Sequence, residues 1–227
     1  MDAPVVPSAN PFDVLADKHD TARWAPIPGG FDSYVDRILA RVAQSTPGSV
    51  VALGGGSGPE LRDFVRRGWK CTLVDTSARM LALAQGRFGG RVQYVHQDAT
   101  RFLGRLADHT VSVVLHVGEA VCYVDDPEGL IQLSARVLAP GGHLVQTYVE
   151  ATQLRKRLAE PPITYFPAGY SFVERRDPLL VMSAFEQAAV LAWHTRHGLD
   201  VLHSSLGPGP RGVVVSIQSS NVRTEQS

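Results

Sequence analysis

Residues 54–58 read Gly-Gly-Gly-Ser-Gly and directly follow an apolar run, Ser49 to Leu53. Glycines at such a place let the backbone take positive φ and approach a ligand closely. Pro59 then stands where the first turn of a helix tolerates a proline, so a helix N-terminus with free N–H groups is expected just beyond the loop. Gly54, Gly56 and Gly58 make the pattern GxGxG. A dinucleotide fingerprint needs a third glycine where Pro59 stands, and a phosphate-cradling loop needs a following Gly-Lys-Ser/Thr that is absent. The spacing suits a ligand without a pyrophosphate.

Two acids stand at the ends of later strand-like runs. Asp75 follows Lys70 to Val74, where a carboxylate can accept from both hydroxyls of a ribose or else cap a helix. Asp98 follows Arg91 to Val95 and can accept from an exocyclic amine such as that of adenine, or cap a loop. His116 follows Val111 to Leu115. Its ordinary titration near neutral pH makes it the first choice for a general base, the alternative being a hydrogen-bonded pocket histidine. Glu119 and Tyr123, in the same loop, are expected near an acceptor, as is Tyr148 at the end of a later strand. Tyr165, Phe166, Tyr170 and Phe172 can build an apolar pocket or a cation–π cage, or simply a small core. Arg155-Lys156-Arg157 reads as a solvated helix face.

The elements that must carry these residues alternate. Phe31, Val35, Ile38, Leu39 and Val42 fall on one helical face ahead of the first strand. Leu61, Phe64 and Val65 line a helix after the glycines, Ser77 can cap another, and Asp126-Pro127 opens a third that Pro140-Gly141-Gly142 stops. With Gly142 to Val149 as a fifth strand, this order predicts a parallel sheet covered on both faces. Ser183 and Glu186 have capping-box spacing ahead of a helix that Gly198 ends, and Leu199–Leu206 and Gly212–Ser219 read as an antiparallel pair on the sheet edge. The chain is expected to form one domain over 1–227. It has a breaker-rich N-terminal arm at 1–30, with a helical patch from Phe12 to Arg23, and a lid-like insertion at 150–182 that lacks a sustained period.

Composition excludes whole classes of function. Of 227 residues, 22 are Lys or Arg and 22 are Asp or Glu, so there is no basic excess of the kind that nucleic-acid backbone selects. The apolar stretches are far short of the ~20 residues that span a bilayer, and the N-terminal segment lacks the features of a secretory signal. Two cysteines, Cys71 and Cys122, make no disulfide framework, and no Cys/His cluster has zinc-ligand spacing. A cytoplasmic protein acting on a small molecule is expected, with no metal, nucleic acid or membrane, as a monomer or homodimer.

The segments VVALGGGSGPE (50–60), LVDTSARML (73–81), VQYVHQDATRF (92–102) and ARVLAPGGHLV (135–145) together resemble the class I S-adenosylmethionine-dependent methyltransferases. The resemblance covers about residues 35–150. It implies a Rossmann-like α/β fold with a seven-stranded, mostly parallel sheet, helices on both faces and a C-terminal antiparallel strand pair. It also implies S-adenosylmethionine as cofactor. Gly54, Gly55, Gly56 and Gly58 would hold the methionine part, Asp75 the ribose, Thr76 and Met80 the flanks of the adenine, and Asp98 and Ala99 its edge. Leu115 and His116 would lie near the methionine amine and the sulfonium. Apart from the resemblance, Arg23 and Trp24 of the N-terminal arm are expected to close over the cofactor, with Arg23 pairing its carboxylate. Two positions depart from the family: Ala52 stands where an acidic residue is usual, and Gly55 where a cysteine is frequent. The implied activity is methyl transfer to a small molecule of secondary metabolism. The same fold directing an alkylation, cyclisation or rearrangement, and a non-catalytic binding protein, are the competing readings.

Overall fold

Short β-branched runs separated by amphipathic segments fold into two sheets in the computed structural model, which describes residues 10–16, 28–158, 160–174 and 180–219. A helical stretch over 11–16 (α1) and the helix Phe31–Val42 (α2) precede the first strand, β1 (Ser49–Leu53). Then come α3 (Arg62–Arg66), β2 (Lys70–Asp75), α4 (Ala78–Phe88), β3 (Val92–His96), α5 (Ala99–Leu103), β4 (Val111–His116), α6 (Pro127–Val137) and β5 (Leu138–Val149). The remainder is α7 (Ala151–Arg155), β6 (Thr164–Phe166), β7 (Gly169–Glu174), β8 (Leu180–Phe185), α8 (Gln187–Arg196), β9 (Leu199–Leu206) and β10 (Arg211–Gln218).

Seven strands form the main sheet in the order β3-β2-β1-β4-β5-β10-β9, with only β10 antiparallel to its neighbours. The alternating pattern dictates this arrangement, since each β–α–β step returns the chain parallel to where it began. One face packs on α2, α3 and α4 through Phe31, Val35, Leu39, Phe64, Leu81 and Phe88. The other packs on α6 and α8 through Leu130, Ile131, Val190 and Trp193. Strand order reverses between β1 and β4. The chain leaves those two strands in opposite directions, which opens a crevice at their carboxyl ends.

The insertion has more order than its irregular sequence suggests. After α7 it forms a second, antiparallel sheet, β6-β7-β8. Phe172 and Met182 pair across β7 and β8 and are both buried. The Tyr170 hydroxyl donates to the Ala151 carbonyl at 2.7 Å, tying this sheet to α7. Ser183 is corrected by the structure: it lies inside β8, opposite Ser171, and α8 begins only after Glu186, whose side chain makes no capping bond. Strand pairing has taken the residues that capping-box spacing assigned to a helix start. The arm's helical patch is seen over 11–16, and its remainder up to Arg23 lies outside the described residues.

Gly169 opens β7 at φ +156°, and a Cβ there would stand 1.9 Å from the Ala184 carbonyl oxygen. Gly169→Ala is therefore expected to force β7 and β8 apart, at a cost of about 1–3 kcal/mol. Denaturant melts and limited proteolysis read this out. New cleavage concentrated within 160–185 is the expected result, and an unchanged midpoint and digest would contradict it.

Candidate functional site

The glycine loop leaves β1 with Gly54 at φ +57°, Gly56 at +55° and Gly58 at +78°. These are left-handed conformations that residues with a Cβ seldom adopt. At Gly54 close approach adds a second demand, because a Cβ would stand 2.9 Å from that of Ala120 in the loop after β4. Asp75, at the end of β2 and 8% exposed, fastens the loop. Its Oδ2 accepts from the Gly56 N–H and its Oδ1 from the Ser77 N–H, both at 2.8 Å. Burial pushes the Asp75 carboxyl up, while the N–H groups of Ser77, Gly56 and Thr76 oppose that push. Each oxygen keeps a lone pair for a further donor.

Asp98 is both cap and wall. Its Oδ1 accepts from the Arg101 N–H at 3.0 Å and from the Thr100 hydroxyl at the start of α5. Against a desolvation that would raise it, those bonds and the N–H groups of Thr100 and Ala99 hold its carboxyl below the usual range. It thus stays ionised beside the crevice at neutral pH.

The crevice is a cavity of about 750 Å³. One end is lined by Gly54, Gly55, Gly56, Asp75, Thr76 and Met80, with Gln97, Asp98 and Ala99 beside them. The other end is apolar: Val124, Leu130, Val149, Leu154, Phe172 and Met182 line it together with Tyr123. Phe12 and Leu15 of α1 also line the cavity, and the Phe12 ring meets Tyr123 edge-on at 5.1 Å. Asn10 and Asp13 anchor this arm segment, Asn10 donating to the Thr76 carbonyl at 2.7 Å and Asp13 accepting from the Ser77 hydroxyl at 2.5 Å. Asp32, Glu119 and Arg211 complete the wall where the glycine loop meets the loop after β4.

Residues 51–146 match the family described as "Methyltransferase domain". No curated protein matches the sequence. Among solved structures, an S-adenosylmethionine-dependent methyltransferase from Clostridium acetobutylicum is similar at TM-score 0.68 and 14% identity, over 92% of this chain and 100% of that one. S-adenosylmethionine-bound CalS10 from Micromonospora echinaspora, an amino pentose methyltransferase involved in calicheamicin biosynthesis, is similar at TM-score 0.61 and 18% identity over 82% and 89%. The [4+2]-cyclase SpnF is similar at TM-score 0.64 and 15% identity, over 92% and 93%. The fold is the Rossmann-like one of class I methyltransferases, and S-adenosylmethionine is the cofactor of such a domain.

The residues present fit that cofactor. The bare glycine backbone offers close approach, Asp75 has lone pairs left for ribose hydroxyls, and Asp98 presents an ionised acceptor farther along the same wall. The methyltransferase domain brings Gly54, Gly55, Gly56, Asp75, Thr76, Met80, Asp98, Ala99, Glu119 and Tyr123 to one cavity. Gly58 is not among its lining residues. A Cβ there would meet Phe88 at 3.0 Å, so this glycine lets α4 pack under the loop.

Five other expected residues are placed elsewhere. Leu115 and His116 are both fully buried beneath the cavity. His116 Nε2 lies 3.0 Å from the Ser134 hydroxyl of α6 and Nδ1 lies 3.4 Å from Gln146 Oε1. Alternation along β4 turns this side chain to the α6 face, away from the ligand crevice. Tyr148 is likewise buried, in the α6/α8 core, and its ring fills the space above Gly212. Burial pushes its phenol up, with Glu150 and Cys122 adding to the effect, so it holds its proton. Tyr165 is 63% exposed, and Tyr170 spends its hydroxyl on Ala151. Arg23 and Trp24 lie outside the described residues. Sequence reasoning missed Asp32 and Arg211, although a lone arginine opening the apolar run Gly212 to Val215 was a usable signal.

Burial pushes His116 down to about 4, against the Gln146 contact, and pushes His194 of α8 down to about 3. Both are neutral when folded, whereas the unfolded chain takes up these protons near pH 6.5. Their stabilisation is full above that pH and is lost as pH falls from 6.5 toward 4, by up to about 1.4 kcal/mol per pH unit for each histidine. Denaturant melts between pH 7 and 4 should show a shallower decline in His116→Asn than in the parent. Equal slopes would contradict the buried, neutral assignment.

Proposed function

We propose that the protein transfers the methyl group of S-adenosylmethionine to an uncharged small-molecule acceptor. The observation that carries this reading is the division of one cavity into a backbone-and-carboxylate end and an apolar end, with the loops after β1 and β4 between them. S-adenosylmethionine supplies, when bound, an electrophilic methyl carbon on a sulfonium. The chain's part in such a displacement is alignment and desolvation. The glycine loop and Asp75 orient the nucleoside end. Phe172, Met182, Tyr123 and Val149 exclude water from the acceptor end and hold an apolar body by contact. The Tyr123 hydroxyl, which donates to the Met182 sulfur at 3.1 Å, brings a polar group to that end and can orient an acceptor oxygen or nitrogen. A secondary metabolite is the acceptor class we favour, on the precedent of the calicheamicin enzyme.

A second reading keeps the cofactor but not the transfer, and the apolar end favours it. Among the described residues, that end carries no carboxylate, histidine or lysine to take a proton from an acceptor. A [4+2]-cyclase shares the fold. Enclosure alone can orient such a rearrangement.

Asp75→Asn removes the charge from the ribose acceptor. It is expected to weaken S-adenosylhomocysteine by about 10- to 100-fold in titration calorimetry, the weight of one or two charge-assisted hydrogen bonds. Unchanged affinity would place the nucleoside elsewhere. Turnover is read with methyl-labelled S-adenosylmethionine and a panel of uncharged aromatic and aliphatic compounds bearing hydroxyl, amine or acidic C–H groups. Labelled product with equimolar S-adenosylhomocysteine supports transfer. Conversion of a compound without S-adenosylhomocysteine overturns it in favour of the second reading.

A further inference from the structure

Arg211 opens β10 and reaches into the cavity wall beside the glycine loop. Its Nε donates to Glu119 Oε1 at 2.7 Å, its Nη2 donates to Asp32 Oδ1 at 2.8 Å, and the same Nη2 lies 2.7 Å from Glu119 Oε1. The guanidinium sits 4.5 Å over the Phe31 ring. Burial works against its charge, yet Glu119 and Asp32 raise Arg211 above its ordinary range.

Glu119 is held there at a conformational cost. It is one of two described non-glycine residues in the left-handed region, at φ +60°. Its N–H and that of Gly118 both donate to the Thr147 hydroxyl at 3.0 Å, and its carbonyl accepts from the Cys122 N–H at 2.8 Å. The next residue, Ala120, is the one that backs onto Gly54. A strained residue fixed by two backbone hydrogen bonds of its own and one of its neighbour, with its side chain on a cavity wall, marks a position shaped for a ligand more than for the fold.

The bonds within the cluster engage Arg211 Nε and Nη2 and Glu119 Oε1. Arg211 Nη1 and Glu119 Oε2 take part in none of them. Arg211 and Glu119 thus bring a positively charged donor and a negatively charged acceptor to the wall that the glycine loop also lines. The end of β1 contributes no charge of its own there, since it offers only Ala52, Leu53 and glycines. We propose that Arg211 and Glu119 form the seat for the α-amino-carboxylate end of the cofactor. The carboxylate accepts from Arg211 Nη1, and the ammonium donates to Glu119 Oε2. Asp32 braces the arginine from α2. A zwitterion is the ligand chemistry that such a pair matches, because a lone anion would face Glu119 and a lone cation would face Arg211. This assignment rests on the S-adenosylmethionine reading above.

The test compares two nucleosides on the full chain by titration calorimetry. S-adenosylhomocysteine carries the amino-acid end, and 5′-methylthioadenosine lacks it. Glu119→Gln, which is isosteric, is expected to weaken S-adenosylhomocysteine by at least about tenfold, the loss one charge-assisted hydrogen bond carries. Methylthioadenosine should change by less than about twofold on the same scale. Arg211→Lys should lose part of the S-adenosylhomocysteine affinity and none for methylthioadenosine, so that ligand also reports whether each variant is folded. Equal losses for both ligands, or no loss for either, would overturn the seat. Failure of the parent chain to bind either nucleoside would instead overturn the cofactor reading on which the seat rests.

Discussion

Two hydrogen bonds accepted by a buried carboxylate hold the crevice end of this molecule in shape. Asp75 sits at the last residue of β2 and accepts from Gly56 on one side and Ser77 on the other. The first bond sets the glycine loop at the end of β1, and the second sets the start of α4, where the Ser77 hydroxyl in turn caps the Met80 N–H at 3.1 Å. The carboxylate is paired with N–H groups and not with a cation, so its remaining lone pairs stay directed at the crevice. A salt bridge would have consumed them. The same residue therefore shapes the glycine loop and lines the cavity, which lets a neutral chain offer a polar wall without a basic field.

The chemistry is divided by topology. Strand order reverses between β1 and β4, and the polar loops emerge at that point. The apolar wall joins Tyr123, Val124, Leu130 and Val149 of the alternating core to residues of α1, α7 and the β6-β7-β8 sheet. Arg211, Glu119 and Asp32 join β10, the loop after β4 and the first turn of α2 across the boundary between the two ends.

Much of this was legible in the residues. The five parallel strands and their helices followed from apolar period alone, and the glycine loop with Asp75 and Asp98 followed from residue type at strand ends. What failed did so for physical reasons. His116 was expected at the ligand because it closes β4, but alternation along the strand turns it to the α6 face, where Ser134 and Gln146 receive it. The small sheet was invisible because its three strands are only three to six residues long and are separated by turns, so no sustained period builds up. Ser183 looked like a cap because local spacing cannot reveal the pairing with Ser171 that claims it. Arg211 was missed because its partners lie 92 and 179 residues away in sequence.

The central claim is that the nucleoside of S-adenosylmethionine lies across the carboxyl ends of β1 and β2, with the apolar pocket left for the acceptor. A crystal structure of the complex with S-adenosylhomocysteine tests it most directly. The account predicts both ribose hydroxyls on Asp75, the adenine between Met80 and Asp98, and the sulfur facing the space between Tyr123, Phe172 and Met182. Density for the nucleoside within the apolar end, or with Asp75 still bonded only to Gly56 and Ser77, would contradict it.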